Sequence, residues 1–147
     1  MIERFEQFSI SIFNISHYWN KIAAEEMKKH GLRGSYALYL IVLSRYDKNI
    51  TAAKLAELCQ KDKADVSRAI STFQKKGLLE PFGRNRYRVP LILTEEGREI
   101  AGQLSARASG FLELAGEGLS DEMREYLYPS LEMIAKNMKK ISEERLI

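Results

Sequence analysis

Between residues 51 and 77 the sequence specifies two short helices with almost nothing between them. Thr51 and Asp62 carry the side chains of helix N-caps, for segments Ala52–Cys59 and Lys63–Lys76. Each can accept a hydrogen bond from an N–H of the first turn that has no partner inside the helix. Asp65 follows three residues after Asp62, where an acid suits the positive end of the helix dipole. Gly77 supplies the stop. Only Gln60-Lys61 separates the segments, so their axes must cross steeply, which is a helix-turn-helix. In the second segment Val66, Ala69, Ile70 and Phe73 fall on one face. Ala64, Ser67, Arg68, Ser71 and Lys75 fall on the other, with Lys63 at its start. In the first segment Leu55 and Leu58 are the expected inward positions.

A hairpin pattern follows. Leu78-Leu79-Glu80-Pro81-Phe82 reads as a short strand, Gly83-Arg84-Asn85 as a turn, and Arg86 to Leu93 as a second strand. In that second strand Tyr87, Val89, Leu91 and Leu93 alternate with Arg86, Arg88, Pro90 and Ile92. Pro90 has no N–H to give a ladder, so the strand belongs at an edge. A two-stranded hairpin after a helix-turn-helix is a wing, and Arg84, Arg86 and Arg88 give it more arginine than solubility requires.

The flanks are helical. Phe5, Phe8, Ile12, Ile15, Trp19, Ile22 and Met27 recur at helical intervals over residues 3–29, with Ile10, Phe13 and Tyr18 on other faces. A helix apolar around so much of its circumference is expected to be buried on more than one side, one of them against a second subunit. Gly31 and Gly34 end it, and Ser35 to about Arg45 forms the next helix. After the hairpin, Thr94 is the expected cap of a helix with Ile100, Leu104, Ala108 and Phe111 inward. Gly116 and Gly118 break it, and Ser120 caps the last helix. There Met123, Leu127, Leu131, Ile134, Met138 and Ile141 repeat as a heptad-like seam. Pro129 lies inside that helix and is expected to kink it near Glu125.

Charge and composition narrow the function. At 147 residues the chain reads as one domain. The net charge of +3 is unevenly spread: residues 51–93 hold nine basic and four acidic side chains, residues 94–147 seven basic and eleven acidic. A basic island of this kind suggests an anionic partner. With two histidines, His17 and His30, and one cysteine, no Cys/His zinc site is expected. Nor is there a phosphate loop or a nucleophile elbow, so neither an enzyme nor a cofactor is expected. The opening residues carry two acids and no clean apolar run, so no signal peptide is expected. No stretch approaches the ~20 apolar residues of a membrane span. A lone Cys59 fits a reducing cytoplasm, and is expected to be a small buried residue.

The order helix, helix, helix-turn-helix, wing, helix, helix resembles the MarR (multiple antibiotic resistance regulator) family of winged-helix transcription factors over essentially the whole chain. The matching pieces are Leu55-Ala56-Glu57-Leu58, Asp62-Lys63-Ala64-Asp65-Val66-Ser67-Arg68, Lys75-Lys76-Gly77-Leu78-Leu79-Glu80 and Leu93-Thr94-Glu95-Glu96-Gly97. Ala64 and Asp65 stand where the family often has Ser-Thr, and Asn85 and Tyr87 where its wing has Asp-x-Arg. The expected fold is mainly α with a small β-hairpin wing. It forms one domain over 1–147: dimerisation helices at about 1–30 and 120–147, a winged lobe at about 35–93, and a connecting helix at about 94–116.

The resemblance implies a cytoplasmic homodimer that binds double-stranded DNA at a pseudo-palindromic operator, usually as a repressor. It places the second helix of the helix-turn-helix in the major groove. Arg68 would read guanine, and Asp65 would accept from cytosine N4 or serve only as a capping acid. Ser67 and Ser71 would bond bases or phosphates, while Lys63 and Lys75 would neutralise phosphates. Arg84 and Arg86 would enter or flank the minor groove. It also implies a small aromatic or anionic effector, for which His17, Tyr18, Trp19, Tyr36 and Tyr39 are candidates. Their competing reading is core, or for His17 core or interface. The alternative function is a winged-helix module whose basic face binds an acidic protein.

Overall fold

The computed structural model describes residues 2–46, 50–81 and 88–144. Among the described residues six α-helices follow one another: α1 (Ile2–Lys28), α2 (Ala37–Tyr46), α3 (Ala52–Cys59), α4 (Lys63–Lys75), α5 (Glu95–Ala115) and α6 (Asp121–Glu144). A 3-10 turn, Gly34–Tyr36, leads into α2, so that helix starts slightly later than its sequence pattern suggests. The chain divides into two compact units, Met1–Arg107 and Ala108–Ile147.

The first unit holds the core. α3 and α4 begin on the expected caps: Thr51 accepts from Lys54 N at 3.2 Å and Asp62 from Asp65 N at 2.7 Å. Each such cap is worth about 1 kcal/mol. The turn between them passes through Gln60 in the left-handed region (φ 51°), where its side-chain amide donates to Glu57 O at 2.7 Å. Val66, Ala69, Ile70 and Phe73 of α4 are all buried, as the periodicity requires. On α3 the buried positions are Ala52, Leu55, Ala56 and Cys59, whereas Leu58 is 38% exposed. That corrects the expectation for Leu58. The stripe at i, i+3, i+4 and i+7 centres on Leu55 and Ala56, and Leu58 falls roughly a quarter-turn or more to its side.

The hairpin is shorter in the described residues than the alternation suggests. Residues 82–87, and with them the expected turn and Arg84 and Arg86, lie outside the described residues. In the flanks the pairing is one antiparallel bridge, Leu79 to Leu93, closed by Glu80 N to Ile92 O (2.8 Å) and Thr94 N to Leu78 O (3.0 Å). Arg88 and Val89 form a turn and bend rather than a strand. The reason is in the donors. Pro90 has none, and Leu91 gives its N–H to Ile50 O at 2.8 Å, across to the segment that precedes α3. Leu91 and Leu93 are nonetheless buried, so the inward half of the alternation survives without the ladder.

Thr94 joins the end of α4 to the start of α5. Its hydroxyl donates to Gly77 O at 2.6 Å and accepts from Gly97 N at 3.1 Å, capping α5 as expected. Gly77 ends α4 with φ +70°, a conformation that a side chain resists. Along α5, Ala101 and Leu104 are buried, and Ile100 is half-buried.

In the second unit Ser120 caps α6 by accepting from Met123 N at 3.2 Å. Arg124 fastens the turn between α5 and α6, donating to Glu113 Oε2 (2.6 Å) and Gly116 O (2.9 Å). α6 continues through Pro129 as one helix, and none of its residues is buried.

Two glycines of α5 give opposite expectations. A Cβ at Gly97 would sit 2.1 Å from Leu78 O, whereas one at Gly102 meets nothing within 4 Å. Gly97→Ala should therefore destabilise the protein by at least about 1–3 kcal/mol through overpacking against backbone. Gly102→Ala should stabilise it by about 0.4–1 kcal/mol, since it restricts the unfolded chain at an open helical site. Urea unfolding of the two variants checks both signs.

Candidate nucleic-acid interface

α4 buries one side and leaves the other outward because its apolar residues occupy only one stripe. Lys63, Ala64, Arg68 and Lys75 are exposed, and Ser67 and Ser71 are half-buried at the edges of the outward face. One helix thus carries three cations and two hydroxyls on its open side. Arg88 is also exposed.

Asp65 is the residue whose surroundings the sequence could not show. Its backbone N–H serves the Asp62 cap, while its carboxylate accepts a hydrogen bond from the Tyr39 hydroxyl through Oδ2. Its other oxygen, Oδ1, lies 3.5 Å from Arg68 Nη2. The Asp65 side chain is 22% exposed and that of Arg68 is 60% exposed. Tyr39 is fully buried. Burial, and then the Asp65 carboxylate, push its hydroxyl well above the ordinary tyrosine range, so it keeps its proton and donates. No spacing rule links positions 39 and 65, because they meet only when α2 packs on α4.

The other aromatic candidates separate into two groups. Tyr36 and Tyr39 belong to the core: their rings lie 6.0 Å apart, and Tyr36 meets Phe73 edge-on at 5.7 Å. Arg33 lies over the outer side of Tyr36, 5.8 Å from its ring centre. His17, Tyr18 and Trp19 are exposed on α1, with His17 and Tyr18 in edge contact at 5.0 Å. His17 is therefore not a core histidine of this chain. Cys59 is buried, as expected. Burial pushes its thiol up, with Lys61 acting in the opposite direction, so it is a poor nucleophile. Among the described residues no group of three or more His, Cys, Asp or Glu is placed to hold a metal ion. No described helix is long and apolar enough to cross a membrane.

An ion-pair cluster holds the end of α1 to α5. Glu26 accepts from Arg107 Nη2 at 2.8 Å and Nε at 3.3 Å, and from Lys29 Nζ at 2.9 and 3.0 Å. It lines a cleft with Lys29, His30, Gln103 and Arg107. None of the five aromatic candidates lines this cleft or its neighbour at Lys76 and Glu96.

Comparison with known proteins identifies the fold. The chain matches a MarR transcriptional regulator from Methanosarcina mazei Go1 with a TM-score of 0.79 at 24% identity, covering 92% of each chain. It matches MepR of Staphylococcus aureus, solved as a DNA complex, with a TM-score of 0.76 at 18% identity, covering 89% of this chain and 96% of that one. The chain thus has the fold of the MarR transcriptional regulators over nearly its whole length. In sequence it is 28% identical over 110 residues to the uncharacterized HTH-type transcriptional regulator YybA of Bacillus subtilis (strain 168), spanning 74% of this chain and 72% of that protein. No protein-family model matches the chain.

The Glu26 cluster generates a pH prediction. Hydrogen bonds from Arg107 and then Lys29 hold the Glu26 carboxyl at about 2, below its ordinary 4.5. A depressed carboxyl stabilises the fold above its unfolded value, and that stability is lost as pH falls through 4.5 toward 2. Glu26→Gln should lower Tm at pH 6, and the gap from wild type should close progressively over that range. A gap independent of pH would show that the amide merely packs worse.

Proposed function

We propose that this chain is a MarR-type regulator that binds double-stranded DNA as a homodimer, with α4 as its recognition helix. The observation that carries the reading is the outward face of α4. Lys63, Arg68 and Lys75 stand exposed on a capped helix whose other face is fully buried, in a fold shared with MepR, a protein solved on DNA. α4 enters the major groove with its N-terminal half at base edges. Arg68 reads guanine O6 and N7, while Ser67 and Ser71 bond bases or phosphates. Lys63 and Lys75 neutralise phosphates, giving affinity without sequence information. Arg84 and Arg86 are assigned to the minor groove on sequence grounds.

A homodimer follows from apolar surface on two helices. On α1, Phe5 (71%), Phe13 (73%) and Ile15 (64%) are exposed, and the entire seam of α6 from Met123 to Ile141 is exposed as well. Patches of this kind on a charged protein belong to an interface. A second copy covers them, and the resulting two-fold axis calls for a pseudo-palindromic operator with half-sites about one turn, ~34 Å, apart. Repression, relief by a small aromatic or anionic effector and a cytoplasmic setting are proposed on the resemblance to the family.

Selection of binding sites from a random duplex pool tests the reading. An enriched pseudo-palindrome, with binding that weakens steeply as salt rises, is the expected result. A folded protein that enriches no sequence and instead captures acidic proteins would overturn it in favour of the interaction module. On the selected site Arg68→Ala should cost about 1–3 kcal/mol and relax one base position, whereas Lys75→Ala should weaken all duplexes alike. Sedimentation equilibrium should give a dimer. An aspartate at Ile15 should shift it toward monomer, which circular dichroism at matched concentration separates from unfolding.

A further inference from the structure

We propose that Tyr39 and Asp65 are positioning residues for sequence readout: the buried Tyr39 hydroxyl clamps one oxygen of Asp65, so that the other holds the Arg68 guanidinium in the pose from which it meets a base. This rests on the reading of α4 as a recognition helix. It adds a residue that touches no DNA and lies in the core of the lobe.

The geometry assigns each atom one task. The cap of α4 is already made by Asp62, which accepts from Asp65 N. The Asp65 carboxylate is therefore not needed as the cap acceptor. Its Oδ2 accepts from Tyr39 Oη, the one polar atom of a ring otherwise packed beside Tyr36. That bond joins a phenol to a carboxylate, a strong type in a half-buried setting. It fixes the side-chain torsions of Asp65 and leaves Oδ1 directed toward Arg68, one helical turn on.

The outer half of the relay is loose by contrast. The Asp65–Arg68 separation of 3.5 Å, with the arginine 60% exposed, is a long contact. An exposed pair of this kind contributes little to stability. What it can do is restrict where the arginine points before DNA arrives, which lowers the ordering cost of a rotamer-rich side chain on binding. Asp65 is thereby occupied on both oxygens by the protein itself. This favours a supporting role over acceptance from a cytosine amine.

The test uses the full chain and the selected duplex. Affinities are measured against every single-base substitution of one half-site, for wild type, Tyr39→Phe, Asp65→Asn, Arg68→Ala and the double variant Tyr39→Phe/Arg68→Ala, with thermal unfolding of each. Tyr39→Phe keeps the ring and removes only the hydroxyl. It should flatten discrimination about 5-fold at the base pair that Arg68→Ala flattens, the size of one net hydrogen bond, and leave the other positions near wild type. Asp65→Asn should flatten the same base pair. The double variant should discriminate no worse than Arg68→Ala alone, because both substitutions act through one side chain. Three outcomes overturn the proposal: wild-type discrimination in folded Tyr39→Phe, uniform weakening on every duplex, or an Asp65→Asn effect at a different base pair, which would make Asp65 itself a base reader. A wild-type protein that selects no duplex at all overturns the recognition-helix reading, and this inference with it.

Discussion

Everything at the candidate interface follows from the burial of one stripe of α4. Val66, Ala69, Ile70 and Phe73 are removed from water together. At about 1.5–3 kcal/mol for a fully buried large side chain, that burial outweighs any single polar contact on the helix. Once those four positions are fixed, the roll of the helix about its axis is fixed too. Lys63, Arg68 and Lys75 have then no direction available but outward. A rotation of one residue would bury Arg68 and expose Phe73, at a cost no surface contact repays.

The stripe also explains why the polar relay can exist. Tyr39 is packed beside Tyr36, which in turn meets Phe73 edge-on. The aromatic cluster that closes the core therefore carries one hydroxyl toward the start of α4, where Asp65 receives it. Packing supplies the position and the carboxylate supplies the partner that a buried hydroxyl needs. The junction after α4 is equally specific. Thr94 bonds both Gly77 and Gly97, and Leu78 O occupies the space a Cβ at Gly97 would need. α5 thus begins at a place set by the end of α4 and by Leu78, rather than by its own apolar pattern.

The chain is divided in how it uses hydrophobic residues. In the first unit they close a core that, among the described residues, buries no charged side chain. On α1 as far as Trp19, and on α6, they remain at the surface, although both helices have the amphipathic spacing of buried elements. Such helices are complete in hydrogen bonding and incomplete in burial, which is the condition that association relieves. In the proposed dimer the heptad-like repeat of α6 marks the residues that a second copy would cover, since a seam of that period presents a continuous line.

Local signals were enough to write much of this structure from sequence. The caps at Thr51, Asp62, Thr94 and Ser120 and the buried stripe of α4 were legible because each depends on residues within one or two helical turns. The hairpin was only half legible. Alternation marked Leu91 and Leu93 as inward, but could not reveal that Leu91 N–H turns to Ile50 O instead of a neighbouring strand. Leu58 was misplaced because a short helix leaves the centre of its stripe undetermined until a neighbour packs on it. The pairings of Tyr39 with Asp65 and of Glu26 with Arg107 were decided by the tertiary structure alone. They join residues distant in the chain, and nothing in a local pattern records which two distant side chains a fold will bring within bonding reach.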